Sequence, residues 1–169
     1  GHVCEVIDSR PYVGGNCYTE RDPETGIMIH VHGAHIFHTD NEEVWAYVNR
    51  FGDFRPYRLQ VRATTGNRVY SLPINLHTIN QFFNAAMGPV EARAYLDQIR
   101  DQSADQSRSF EDVALGALGP ELYEAFFKGY PIKQWGIHPR ELPASVLKRL
   151  PIRFNYDDNY FFHSHQGIP

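Results

Sequence analysis

Residues 2–8, H-V-C-E-V-I-D, form a short apolar run closed by an acid, and Arg10 and the pair Gly14-Gly15 follow at once. This pattern narrows the fold more than any other stretch. A brief β-branched run between turn signals reads as a buried strand. In a dinucleotide-binding α/β unit, the acid closing the second strand meets the ribose hydroxyls, which makes Asp8 a candidate, with Arg10 beside it. The glycine fingerprint of such a unit is expected about 20 residues before the acid, and the chain contains none. A strand-end acid is also an ordinary surface feature. The segment P-Y-V-G-G-N at 11–16 strengthens the nucleotide reading, because paired glycines let backbone N–H groups approach a ligand closely.

The chain has no initiator Met and stops at Q-G-I-P with no closing element in view. On this reading it is a piece of a longer protein. Its 169 residues suffice for one sizeable core, or a core and a small satellite. A net charge of -4 argues against a nucleic-acid footprint, which calls for a basic face. It leaves room for an anionic ligand held by local arginines. Cys4 and Cys17 show no metal or redox spacing, as expected of reduced thiols in a cytoplasm. No apolar run approaches the ~20 residues of a membrane helix, and no signal-peptide pattern opens the chain.

Residues 26–39, G-I-M-I-H-V-H-G-A-H-I-F-H-T, carry four histidines. Strand alternation places His30 and His32 on one face. A zinc site is disfavoured, because the spacing is not that of a ligand set and no Cys or Glu pair lies nearby. Residues 41–51 have helical periodicity, with Asn41 as a cap and Val44, Tyr47 and Val48 facing inward. Residues 57–63 and 68–72 read as a hairpin around Thr65-Gly66-Asn67. A helix begins near Pro73, a charged exposed one spans 89–101, a polar linker spans 102–109, and another helix runs 110–118.

The stretch 118–162 combines aromatics and arginines. Pro120 and Glu121 open a helix, which Gly129 and Pro131 end. Phe126 and Tyr130, four apart, share a face if the helix reaches that far. Trp135 follows in a polar turn, and a further helix runs from about 141 to 150. Ile152 to Phe154 return toward the sheet. Flat rings and guanidinium forks suit a planar base and a phosphate, although aromatics at helical spacing are also the ordinary signature of a core.

Longer motifs reach further. K-G-Y-x-x-K-Q-W-G, E-L-P-A-x-x-x-K-R-x-P-x-R-F, D-N-Y-F and Q-G-I-P resemble the bacterial UDP-galactopyranose mutase family. So do V-G-G-N-x-Y-T-E, G-I-x-I-H-x-H-G-A-H-I-F-H-T and L-P-I-N upstream, in the same order. The likeness covers nearly the whole chain. It implies an α/β fold: an FAD-binding Rossmann-like domain of the glutathione-reductase type, with an inserted helical substrate domain and part of an antiparallel sheet. Residues 1–74 would be the partial FAD-binding domain with the hairpin, 75–150 the insertion and 151–169 the return strand.

The same resemblance implies interconversion of UDP-galactopyranose and UDP-galactofuranose through an adduct between the sugar and N5 of reduced FAD, in a homodimeric full-length enzyme. The piece alone is expected to be inactive. Asp8, Arg10, Gly14, Gly15, Asn16, Gly33 and His35 are implied at the cofactor, with His35 beside the flavin ring. Asn75, Phe126, Tyr130, Trp135, Arg149, Tyr160 and Phe161 are implied at the substrate, with Arg149 on the pyrophosphate. Arg153 receives no role. Pro131 departs from the family pattern, where a residue such as Thr is expected. Another FAD-dependent oxidoreductase of this fold, or a non-catalytic UDP-sugar-binding fragment, remains an alternative.

Overall fold

The computed structural model describes residues 1–104, 108–149 and 152–169, with the side chains of 148 and 149 outside the description. The chain is mixed α/β and divides into two compact units: Gly1–Arg58 with His163–Pro169, and Leu59–Phe162.

In the first unit, β1 (Thr19–Arg21) pairs antiparallel with β2 (Met28–His30), Thr19 facing His30. A second sheet has the order β3 (Phe37–Thr39), β7 (His165–Ile168), β4 (Arg55–Pro56), also antiparallel. Gln166 and Gly167 are buried in the central strand, paired with β3 on one side and β4 on the other.

Residues 2–8 form no strand and are exposed, Val3, Val6 and Ile7 included. A strand needs a neighbour for its backbone N–H and C=O groups, and none pairs with it among the described residues. Helix α1 (Glu42–Val48) is capped as expected, the Asn41 side chain accepting from the Val44 N–H. Its inward face is different from the one the periodicity suggests. Val44 and Tyr47 are exposed, while Trp45 and Val48 are half-buried. Trp45 stacks on His165 at 5.1 Å and packs on Phe37 and Phe54. The pull of this aromatic cluster sets the helix rotation.

The second unit holds the apolar core. β5 (Val61–Thr65) and β6 (Arg68–Leu72) form the hairpin, joined by Gly66 and Asn67 at φ 54° and 61°. Two positive-φ residues make a type I′ turn, whose twist matches that of the strands. Helix α2 (Leu76–Phe83) is capped by Asn75. Helix α3 (Pro89–Ile99) exposes one face but buries Ala92 and Leu96, so it is amphipathic and not wholly exposed. Helix α4 (Phe110–Leu118) is capped by Ser109, whose side chain accepts from the Asp112 N–H. It buries Phe110, Ala114 and Leu118 at four-residue spacing. These residues pack with Ile74, Leu76, Ile79, Leu96 and Leu122 into one core.

Helix α5 (Pro120–Phe126) starts at the expected proline. It is followed by a further helix, α6 (Gly129–Trp135), where a polar turn was expected. Gly129 and Pro131 occupy its first turn, where a missing N–H costs no hydrogen bond. Trp135 is thus the last residue of a helix. The helix expected over 141–150 is replaced by 3-10 turns at Pro139–Glu141 and Ala144–Arg149, divided by Pro143 in an isolated bridge with Ser109. Residues 152–154 are irregular, the Arg153 N–H donating to the Ile74 carbonyl at 2.9 Å.

Candidate functional site

The candidate cofactor residues lie in the first unit. Gly14 and Gly15 take φ 99° and 56°, values that favour glycine, and the chain then makes a 3-10 turn over Gly15–Cys17. This turn brings Asn16 back to Arg10, whose Nη2 donates to Asn16 Oδ1 at 2.9 Å. The Arg10 backbone N–H donates to Asp8 Oδ1, also at 2.9 Å. Asp8, Arg10 and Asn16 therefore meet. Arg10 Nη1 is buried with no hydrogen-bond partner among the described residues. Tyr12 and Tyr18 stack at 3.9 Å around the glycines, and the Tyr12 hydroxyl reaches His32 Nε2 at 2.7 Å. Sequence reasoning overlooked these tyrosines. Their signal was one aromatic on each side of the diglycine.

The histidines form pairs. His30 ends β2 and His32 lies in the turn after it, so they do not share a strand face. His30 stacks on His35, centroids 4.0 Å apart and planes 7° apart. The His35 N–H donates to His30 Nδ1 at 3.1 Å, and His35 Nε2 lies 2.9 Å from Thr19 Oγ1. Burial, then the facing His35, holds the His30 pKa below its ordinary value. Gly33, at φ 102°, has open space where a Cβ would stand. His38 Nδ1 lies 2.8 Å from His163 Nδ1, a residue 125 positions away. Among the described residues, no group of three or more His, Cys, Asp or Glu side chains is placed to hold a metal ion.

The His38–His163 pair gives a pH prediction. Burial, then His163, lowers the His38 pKa, so folding favours the neutral ring. That contribution is full above about pH 6.5, the unfolded value, and is lost as pH falls through the lower folded value. The melting temperature is expected to drop as pH falls below about 6.5. His163→Asn, which removes the repelling partner, should flatten that drop. Identical slopes in both proteins would refute the assignment.

The candidate substrate residues lie in the second unit. Tyr130 and Trp135 meet edge to face at 5.7 Å and remain about half exposed, at 55% and 45%. Tyr160 and Phe161 make a second edge-to-face pair at 5.1 Å. Burial, with Tyr130 adding to it, raises the Tyr160 pKa. Phe126 sits apart on α5, its ring edge-on to Tyr70 at 5.1 Å and near Phe82. Phe126 and Tyr130 are thus on different helices, not on one face. Pro131 is buried in α6.

Asn75 is fully buried at 0% exposure. Its Oδ1 accepts from the Thr78 N–H and its Nδ2 donates to Ser71 Oγ. The side chain expected to touch a ligand is instead spent on capping α2. The Arg149 side chain lies outside the described residues. A cleft of about 510 Å³ lined by Arg108, Ser109, Glu111, Asp112 and Arg140 contains none of the candidates. No helix among the described residues is long and apolar enough to cross a membrane.

Known proteins are similar to this sequence. The family described as UDP-galactopyranose mutase matches residues 125–169, and an NAD(P)-binding Rossmann-like domain matches residues 1–51. A dTDP-fucopyranose mutase of Escherichia coli is 58% identical over 98% of this chain and 44% of its own length. A probable UDP-galactopyranose mutase of Klebsiella pneumoniae is 59% identical over 100% of this chain and 44% of its own. A UDP-galactopyranose mutase of Mycoplasma pneumoniae is 26% identical over 97% and 42%. The chain spans less than half the length of these relatives. The likeness to these mutases spans nearly the whole chain, and residues 125–169 belong to the UDP-galactopyranose mutase family.

Proposed function

We propose that this chain serves a flavin-dependent mutase that interconverts UDP-galactopyranose and UDP-galactofuranose. The observation that carries the reading is the two edge-to-face pairs, Tyr130 with Trp135 and Tyr160 with Phe161. Two edge-to-face ring pairs, with Tyr130 and Trp135 still open to solvent, suit a flat pyrimidine base. In this reading Tyr130 and Trp135 cover the base, Tyr160 and Phe161 flank the diphosphate, and Arg149 supplies a cation to it. Phe126, packed on Tyr70 and Phe82, is assigned to the base as well. Asn75 acts indirectly, by fixing the start of α2.

The first unit fits FAD. Arg10 has a buried donor without a partner, held in place by Asn16 and by the turn that leads from Asp8. Gly14, Gly15 and Gly33 leave backbone unshielded by side chains. Asp8, Arg10, Gly14, Gly15, Asn16 and Gly33 would hold the cofactor, and His35, fixed by Thr19 and His30, would stand at its ring. Reduced FAD, when bound, supplies the nucleophile for a ring exchange without net redox change. The chain's residues bind, orient and screen. The finer architecture proposed is a glutathione-reductase-type FAD domain over 1–74, a helical substrate insertion over 75–150, and a return over 151–169, in a homodimeric full-length enzyme.

The near-equal identity to a dTDP-fucopyranose mutase and a probable UDP-galactopyranose mutase favours a second reading, in which the substrate is the dTDP sugar. One experiment addresses both. The full-length protein, reduced with dithionite in the presence of FAD, is incubated with UDP-galactofuranose or dTDP-fucofuranose, and pyranose formation is followed by chromatography. Turnover of the UDP sugar is expected. Turnover of the dTDP sugar alone would move the assignment to the second reading, and turnover of neither by the full-length protein would overturn the mutase reading.

A further inference from the structure

Arg153 is the charged residue among the buried polar side chains described, with 4% of its side chain exposed. A buried charge persists only where its partners offset the loss of water. Those partners come from one loop. Arg153 Nη1 donates to the Asp157 carbonyl at 3.0 Å and to the Asn159 carbonyl. It also lies 3.3 Å from the Asp157 carboxylate. The guanidinium rests over the Phe162 ring at 4.1 Å, a cation–π contact. Nε and Nη2 are buried and make no hydrogen bond among the described residues, so the loop carries the whole interaction.

The residues that Arg153 grips, Asp157, Asn159 and Phe162, bracket Tyr160 and Phe161. The same loop is tied elsewhere. Asp158 accepts from Gln60 and Arg62, and the Tyr160 N–H donates to the Leu59 carbonyl at 2.8 Å. These bonds hold its outer side. Arg153 holds it from within, through two carbonyls at once and a ring face.

We propose that Arg153 is a positioning residue for nucleotide binding, fixing the 157–162 loop so that Tyr160 and Phe161 meet the base and diphosphate of a pyrimidine nucleotide in one geometry. It touches no ligand itself. The proposal rests on the nucleotide reading above. A planar guanidinium can bridge two carbonyls while lying flat on a ring. A lysine keeps the charge and the cation–π contact but loses the plane.

The test uses the whole chain with UDP as the probe. Trp45→Phe leaves Trp135 as the reporter, and UDP is titrated against its emission. Arg153→Lys is expected to weaken UDP binding about tenfold, the scale of losing one charge-assisted hydrogen bond. Phe162→Leu is expected to give a smaller loss in the same direction. Phe162 is 64% exposed, so this variant should fold even if Arg153→Lys does not. A second readout separates positioning from plain stability. The raised titration of the Tyr160 hydroxyl, seen as the absorbance difference between each protein and its Tyr160→Phe counterpart, should fall back toward the ordinary value in both variants.

Binding by both variants within twofold of the intact chain, with Tyr160 titrating as before, would overturn the proposal whatever the melting temperatures do. If Arg153→Lys fails to fold, Phe162→Leu decides by the same criteria. If the intact chain binds no UDP, the nucleotide reading fails. The Tyr160 titration then decides the role of Arg153 in the loop on its own.

Discussion

Arg149→Ala in the reduced enzyme is expected to lose about 2 to 4 kcal/mol of transition-state stabilisation, the size seen on deleting one oriented donor from a developing charge. In the proposed reaction, negative charge grows on the departing diphosphate as the anomeric carbon–oxygen bond opens. A fixed guanidinium there stabilises the transition state more than the bound substrate, so kcat should fall and not only KM rise. The backbone at Arg149 closes the 3-10 turn Ala144–Arg149, one residue after a second cation, Lys148. Arg149→Lys retains the charge without the fork and should recover only part of the loss. Flavin content should stay unchanged, because Arg149 is assigned to the substrate.

The competing view makes Arg149 a surface residue, whose removal changes stability by no more than about 0.5 kcal/mol. Turnover at saturating substrate, flavin occupancy and melting temperature, measured together, separate the two. Near-normal turnover would remove Arg149 from the reaction. Joint loss of flavin and stability would make it structural.

Gly119→Ala is expected to destabilise the fold by about 3 kcal/mol or more. Gly119 ends α4 and begins α5, at φ 82° and ψ 168°. This region is essentially closed to residues with a Cβ, and occupying it costs about 1 to 3 kcal/mol. Space adds to the strain. A Cβ would stand 2.9 Å from the Ile99 carbonyl oxygen and 3.1 Å from Ile99 Cγ1, so the end of α3 would have to move. Forcing such contacts in a packed core costs about another 1 to 3 kcal/mol.

Both flanking helices depend on this residue. The Gly119 N–H donates to the Leu115 carbonyl at 3.1 Å, and its carbonyl accepts from the Tyr123 N–H at 3.2 Å. Gly129→Ala is the matched comparison. Gly129 opens α6 with nothing within 4 Å of a built Cβ. That change should be neutral or stabilising by up to about 1 kcal/mol. Urea unfolding of the two variants measures both effects. A Gly119→Ala midpoint equal to the parent's would show that the α4–α5 junction does not need glycine.

What the sequence by itself determined is local. Asn41 as a cap, Pro120 at a helix start, the span of α4 and the turn at Gly66-Asn67 each follow from a few neighbouring residues, because caps and turns are satisfied within one turn of chain. The order of the motifs was equally legible, since family likeness is written along the chain. Only the tertiary structure decided the rest. Periodicity turned α1 toward Val44 and Tyr47, but Phe37, Phe54 and His165 draw Trp45 inward. Gly129 and Pro131 looked like a stop, and packing beyond α5 made them the first turn of α6. Asn75 looked free to meet a ligand, yet Ser71 and Thr78 consume its polar atoms in the core. His38 and His163, 125 residues apart, and Arg153 with the loop around Tyr160 and Phe161, meet only on folding. Such contacts depend on which distant surfaces bury one another, and no local spacing encodes that.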